Sequence, residues 1–471
     1  MARAKAIAAV LFSAGLATAT ALALGRTPRA AAAEPGRLNV VFIVSDDERA
    51  GGTAVMPNVQ TLLQGHGVTF VNNHVATSEC GPSRASILTG QYPQHSGVLE
   101  NFGPDSYPRF DSASNLAVWL HGAGYDTGLV GKYLNDYTLD GNHVVPPGWD
   151  TWRAIDSVPE ERYYDYTLNE NGALVHYGSQ PSDYSTNVLA QKAVDFIHTA
   201  RKPFFLYFAP VAPHLPAIPA PGDAGRFKDL QPLRNPAIDE KNISDKPWAR
   251  WHERLLSGGA TSYDNQVREH QLESLLAVDR AVGRIVGELR ARGELDRTVI
   301  FYTSDNGFLW GEHRLGGKIW PYEQSTNVPL VVRTPWTDAN GTVNRAPVLN
   351  IDFAPTIAAL AGVRPAAPVD GASFVPFLHG RDEPWRSAYL VEYLGRSQLR
   401  RGGPPPYVGV HTSRYLYVEY RRGWRELYDL RKDPWELRNV ASDPAYAKTR
   451  TRLATLLQTL YTARPHAPPA R

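Results

Sequence analysis

Four short apolar runs, far apart in the chain, each end on polar or charged residues. LNVVFIVS (Leu38–Ser45) runs into Asp46-Asp47, and GYDTGLVG (Gly124–Gly131) into Lys132. PFFLYFAP (Pro203–Pro210) leads to Val211-Ala212-Pro213-His214, and TVIFYTS (Thr298–Ser304) to Asp305-Asn306-Gly307. Runs of this length and composition read as buried strands. Helical stretches lie between them. Leu272, Leu275, Leu276, Val282, Ile285, Val286 and Leu289 share one helical face, and Gly293 serves as a C-cap before the next strand. Strands alternating with helices give an α/β sheet, and ligands in such sheets sit beyond the carboxyl ends of the strands. The four polar clusters are therefore expected to meet on one edge.

From Pro365 to Trp385 the texture changes to proline, glycine and short runs. Beyond it, YLYVEY (Tyr415–Tyr420) and RELYDL (Arg425–Leu430) read as antiparallel strands, followed by a helix from Pro444 to Tyr461. We expect a main domain over residues 34–375 and a small C-terminal α+β subdomain over 376–471. Residues 1–33 have the layout of a secretory signal peptide: Arg3 and Lys5, an apolar run from Ala6 to Leu24, and the small residues Ala31-Ala32-Ala33. No twin arginine precedes the run and no cysteine follows it, which argues against Tat export and a lipoprotein anchor. The run is also long enough to span a bilayer, so a retained anchor is the alternative. With the leader cleaved, the expected protein is secreted or extracytoplasmic, with no stable membrane anchor. Of 49 basic residues the leader takes four, leaving 45 against 47 acidic ones. So balanced a chain has no footprint for nucleic acid, and any anion site is local.

Asp46-Asp47 and Asp305-Asn306 end two different strands. Three carboxylates and an amide oxygen form a hard, all-oxygen set suited to calcium or magnesium rather than zinc. No histidine lies within either cluster, which argues against a dinuclear zinc phosphatase site. Cys80 is the only cysteine in 471 residues, so it has no internal disulfide partner. Pro82 suits the first turn of a helix running through Leu88. This puts Cys80 just before a helix N-terminus, where backbone N–H groups favour anions. Arg84 lies one turn on, able to return toward Cys80 and hold an oxyanion in bidentate fashion. A single cysteine is otherwise most often a buried apolar residue.

CGPSRASILTG (Cys80–Gly90) resembles the sulfatase signature, Cys-x-Pro-Ser-Arg followed by Thr-Gly. The resemblance extends to the Asp46-Asp47 strand end, Gly131-Lys132, Ala212-Pro213-His214, SDNG (Ser304–Gly307), GEHRLGGK (Gly311–Lys318) and LYDLRKDPWELRN (Leu427–Asn439). GKYLNDY (Gly131–Tyr137) is similar to the N-acetylglucosamine-6-sulfatase and heparan endosulfatase branch. The resemblance implies an alkaline-phosphatase-like sandwich, with a large mixed, mostly parallel central sheet flanked by helices and a small antiparallel C-terminal subdomain. It also implies that Cys80 is oxidised to formylglycine by a formylglycine-generating enzyme. A cysteine reserved for that oxidation benefits from having no partner.

The resemblance further implies that Asp46, Asp47, Asp305, Asn306 and the modified Cys80 bind one calcium. One hydroxyl of the aldehyde hydrate then attacks sulfur, and collapse of the second expels sulfate. Such chemistry needs a cation-rich cradle for the sulfuryl oxygens, supplied by Arg84, Lys132 and Lys318. His214 or Lys318 protonates the leaving alcohol. Many sulfatases carry a histidine two or three residues after the lysine matching Lys132; here those positions hold Leu134 and Asn135. Asn135 is assigned to the sulfate or the sugar. His95 and His313 are read as supporting the fold. The expected partner is a sulfated carbohydrate. The alternatives are an arylsulfatase, a phosphate or phosphonate ester hydrolase on the same fold, and an inactive glycan-binding relative.

Overall fold

The computed structural model describes residues 37–138, 141, 143–156, 162–201, 203–249, 259–396 and 403–465. The segment read as a leader, 1–33, lies outside them. Ten strands form one sheet, in the order Thr342–Asn344, Gly67–Phe70, Leu330–Arg333, Thr298–Ser304, Asn39–Ser45, Phe204–Ala209, Asp126–Gly131, Thr151–Ile155, Tyr166–Glu170 and Ala173–Tyr177. The five strands from Thr298–Ser304 to Thr151–Ile155 are mutually parallel. The strands flanking these five pair with them antiparallel.

The residues of Asn39–Ser45 show why this strand lies at the centre. Val40, Phe42 and Val44 join one core, with Leu116, Leu120, Phe353 and Ile357 from helices Leu116–Gly122 and Phe353–Leu360. Val41 and Ile43 point to the opposite core, with Leu189 and Phe196 from helix Ser185–Thr199 and Val278, Val282 and Ile285 from helix Gly259–Ala291. A strand covered on both faces carries apolar side chains on both, hence the unbroken run from Val40 to Val44. Phe42 meets Tyr207, Phe301 and Phe353 edge-on at 5.5–5.7 Å, so its truncation to alanine costs about 3–5 kcal/mol. The long helix carries the expected apolar face, and Gly293 stands just past its end at a φ of 68°.

A second sheet of four antiparallel strands comprises Ala388–Tyr393, Tyr407–Thr412, Tyr415–Tyr420 and Arg425–Asp429. Leu453 and Leu457 of helix Ala447–Tyr461 cover one face of it, against Leu390, Val410 and Leu427. The other face packs Leu416, Val418 and Tyr428 onto Trp248, Trp320 and Tyr322. The expected sandwich and the small separate sheet are both present. No helix among the described residues is long and apolar enough to cross a membrane.

Candidate active site

The parallel register decides where the polar strand ends go. Ser45 is level with Ser304, and Gly131 with Ala209, so the next residues of these strands leave the sheet side by side. Backbone bonds extend the ladder past the strands: Asp305 N–H donates to Ser45 O (3.1 Å), Asp46 N–H to Ala212 O (3.2 Å) and Lys132 N–H to Ala209 O (2.8 Å). Gly131 makes the last of these possible. Its φ is 119°, and a Cβ there would lie 2.0 Å from Ala209 O. Asp47 adopts a left-handed φ of 69°, which aspartate tolerates. Its carboxylate thereby joins that of Asp46 instead of pointing to the opposite face.

Cys80 is the first residue of helix Cys80–Thr89, one position further in than expected. The Gly81 N–H donates to Asn101 Oδ1 (2.7 Å), and Asn350 Nδ2 donates to Ser83 Oγ (2.9 Å). Ligand atoms of Asp46, Asp47, Cys80 and His214 all lie within 4.8 Å of one another. Lys132 Nζ donates to Asp46 Oδ2 (2.8 Å), and Lys318 Nζ to Cys80 Sγ (2.6 Å) and Asp47 Oδ1. Arg84 Nε donates to Asp305 Oδ2 (2.8 Å) and its Nη1 to Lys132 O (3.0 Å). Its Nη2 is 3.7 Å from Asp46. The guanidinium thus gives two of its N–H groups to protein oxygens, while the buried Nη2 has no hydrogen-bond partner among the described residues.

Burial alone would raise the Asp46 carboxyl, but Lys132, His214, Arg84 and Lys318 hold it well below the usual range. Asp305 goes the other way, pushed up by burial and by the neighbouring Asp46. Burial and Asp46 push the Cys80 thiol well above its ordinary value, so the unmodified side chain is a protonated thiol and a poor metal ligand. Burial would lower Lys318, but the carboxylates of Asp47, Asp46 and Asp305 outweigh it and keep its ammonium charged.

Three carboxylates and three cations, besides His214, leave the cluster with no net charge. A bound dication would leave +2, an electropositive site for the anionic sulfuryl group of an ester and for the sulfate dianion released from it. The oxygen donors fit a hard ion on a second ground. Asn306 Nδ2 donates to Asp47 Oδ1 (2.7 Å), while its Oδ1 is buried with no hydrogen-bond partner among the described residues. Such an orphaned oxygen asks for a ligand.

His214 reaches the cluster through Nε2, 3.5 Å from Asp47 Oδ2, while its Nδ1 lies 2.7 Å from Leu215 O. Only Nδ1–H can donate to that carbonyl, so Nε2 is the nitrogen presented to a substrate. Asn135 is buried in the loop after Lys132. The neighbouring Asp136 accepts from Gly103 N–H (2.8 Å) and Ser106 Oγ (2.7 Å), tying two loops together. His313 sits against Glu240 (2.8 Å) and His95 against Asp370 (2.9 Å), in keeping with structural roles. Asn101 and Asn350 were not visible in the sequence, because they act on segments with no shared local pattern; Asp136 lies within GKYLNDY, but nothing in that stretch showed its partners.

Residues 38–363 match the sulfatase family. The chain belongs to the sulfatase family. Its class is accordingly that of the sulfuric ester hydrolases. Residues 311–463 of this sulfatase also match the C-terminal region of N-sulphoglucosamine sulphohydrolase. The sulfatase is 34% identical to the N-acetylglucosamine-6-sulfatase of Capra hircus, over 86% of this chain and 80% of that one. It is 33% identical to the extracellular sulfatase SULF-1 homolog of Drosophila melanogaster over 77% of this chain, but spans only 33% of that relative's length. A protein solved with its substrate D-glucosamine-2-N,6-O-disulfate superimposes with a TM-score of 0.77 at 26% identity, covering 90% of this chain and 97% of the other. The phosphonate monoester hydrolase of Agrobacterium radiobacter follows at 0.74 and 25%, covering 90% and 95%.

Proposed function

We propose that this sulfatase hydrolyses the sulfate ester of a sulfated sugar, with the 6-sulfate of N-acetylglucosamine or a similar primary sugar sulfate as substrate. The observation that carries the reading is the buried, charge-balanced cluster around Cys80. Oxygens of Asp46, Asp47, Asp305 and Asn306 would hold calcium, together with the modified Cys80. When present, calcium would supply a dication that polarises a sulfuryl oxygen, and formylglycine at Cys80, made by a formylglycine-generating enzyme, would supply the attacking hydroxyl as its hydrate. Lys132 and Lys318 donate to the remaining sulfuryl oxygens, where negative charge develops. Arg84 fixes Asp305 and adds its charge to the same cradle. His214, as an imidazolium whose Nδ1–H stays on Leu215 O, delivers its Nε2 proton to the ester oxygen and is left as the neutral Nδ1–H ring, since a strongly held proton on Lys318 makes it the poorer acid. Asn135 contributes to the sulfate or sugar subsite. Export is part of the proposal, supported by the leader-like segment and by the extracellular relative.

The test pairs mass spectrometry of the Cys80 peptide with turnover of a panel of sulfate, phosphate and phosphonate esters in calcium. An active preparation should carry the aldehyde residue and prefer the sugar sulfate. Full activity with unmodified thiol throughout refutes the formylglycine assignment. Preference for a phosphonate monoester would select the second reading, which the Agrobacterium hydrolase favours. Turnover of aryl sulfates alone would refute the sugar assignment.

A further inference from the structure

A cleft of about 420 Å³ opens where one end of the C-terminal sheet meets the main domain, lined by Leu99, Arg396, Tyr407, Glu419, Arg421 and Tyr461 among others. It adjoins the cluster around Cys80 without sharing a residue with it. Tyr407 Oη donates to Ile319 O (3.3 Å), and Ile319, the residue after Lys318, donates its N–H to Ser78 O (3.1 Å). Ser78 stands two positions before Cys80. On the other side, Leu99 leads through Glu100 to Asn101, whose Oδ1 accepts from Gly81 N–H (2.7 Å). Arg396 N–H donates to Glu100 Oε2 (3.1 Å), and a Cβ on Gly395 would lie 3.0 Å from Leu99 O. Two short bridges therefore tie the cleft to the backbone on both sides of Cys80.

The charges of the cleft are unbalanced. Glu419 is the acidic residue of the lining, and it is already engaged, accepting from Tyr417 Oη and pairing with Arg425 (3.5 Å). Arg396 and Arg421 are exposed, and neither guanidinium has a hydrogen-bond or ion-pair partner among the described residues. Their backbones are nonetheless anchored, Arg396 through Glu100 and Arg421 through its N–H on Pro406 O (2.8 Å). Tyr407 is buried beneath them, and Tyr461, at the end of helix Ala447–Tyr461, offers a half-buried ring. Planar guanidinium groups hold carboxylates and similar oxyanions through paired N–H donors. The volume falls within the range of small-ligand sites.

We propose that Arg396 and Arg421 form a subsite for an anionic sugar, carboxylated or sulfated, linked to the sugar that loses its sulfate. This subsite rests on the sugar-sulfatase reading and narrows it to a glycan charged on two adjacent rings. The reacting ester enters the cluster around Cys80 while the neighbour's anion meets the two guanidinium groups. Neither arginine touches the reacting atoms, so the energy of this contact is the same in ground state and transition state. Such uniform binding lowers KM and leaves kcat alone.

Turnover of N-acetylglucosamine 6-sulfate by the calcium-loaded full-length enzyme tests this, with the sugar alone and in disaccharides whose second ring is neutral, carboxylated or sulfated. The wild type should show a lower KM for a charged disaccharide than for the neutral one, and the preferred charge identifies the anion. Arg396→Gln and Arg421→Gln should each raise that KM by about fivefold, the upper end for an exposed ion pair, with kcat unchanged. Both variants should keep wild-type turnover of the monosaccharide and the neutral disaccharide, which also shows that they fold. Equal KM for all three disaccharides in the wild type overturns the subsite and leaves the sugar-sulfatase reading standing. Losses as large on the monosaccharide as on the charged disaccharide do the same. Failure to cleave any of the sugar sulfates, with aryl sulfates still turned over, overturns that reading and the subsite with it.

Discussion

Replacing Lys132 by methionine tests the charge balance of the active site. Lys132 Nζ lies 2.8 Å from Asp46 Oδ2, and both side chains are fully buried. Methionine keeps much of the apolar length and removes the ammonium, leaving three carboxylates facing Arg84 and Lys318. Deleting one partner of a buried ion pair costs about 3–5 kcal/mol. At about 2.1 cal/mol/K per residue, the unfolding entropy of 471 residues is about 1 kcal/mol/K. In chelator, Lys132→Met should therefore melt about 3–5 °C below wild type. A dication in the oxygen set replaces the missing charge, so in calcium the gap should fall by more than half. Scanning calorimetry in EGTA and in calcium reads both values. Equal melting in EGTA, or the same gap with and without calcium, would refute the charge-balance argument. Turnover is a separate readout. Losing one donor to the sulfuryl group costs about 10²–10³ in kcat, and calcium should not restore it.

Gly131→Ala should abolish activity and lower stability, because its Cβ would meet Ala209 O at 2.0 Å and displace Lys132; a variant with wild-type kcat would show that the strand end relaxes freely. His214→Ala should lower sugar-sulfate turnover by about 10²–10⁴, and nitrophenyl sulfate turnover far less, because a phenolate leaves without a proton. Equal losses on both esters would remove His214 from the acid role. Glu392 is fully buried, and burial pushes its carboxyl up to about 8, so the folded chain keeps a proton that the unfolded chain loses above about 4.3. Stability is then lost as pH rises from about 4.3 to about 8, by up to about 1.4 kcal/mol per unit; Glu392→Gln should flatten that slope in a melting-temperature profile, and an unchanged slope would rule Glu392 out as its source.

The sheet was legible because burial on both faces leaves a continuous apolar signature, and four such runs end on the polar residues that gather at one edge of the sheet. Parallel register then does the rest: once Ser45 stands level with Ser304, Asp46 and Asp305 are neighbours whatever lies between them in sequence. The short strands Thr342–Asn344 and Ala173–Tyr177 lacked any such signature, being largely exposed. The direction of Arg84 was not legible either. Spacing fixes which turn of the helix it occupies, but whether it faces Cys80 or Asp305 depends on a carboxylate 221 residues away. Asn101 and Asn350 were hidden for the same reason, since their side chains bond only across tertiary contacts, to Gly81 and to Ala76 and Ser83, and leave no period in the chain. A site at a strand edge inherits its geometry from one sheet and can be read from strand ends.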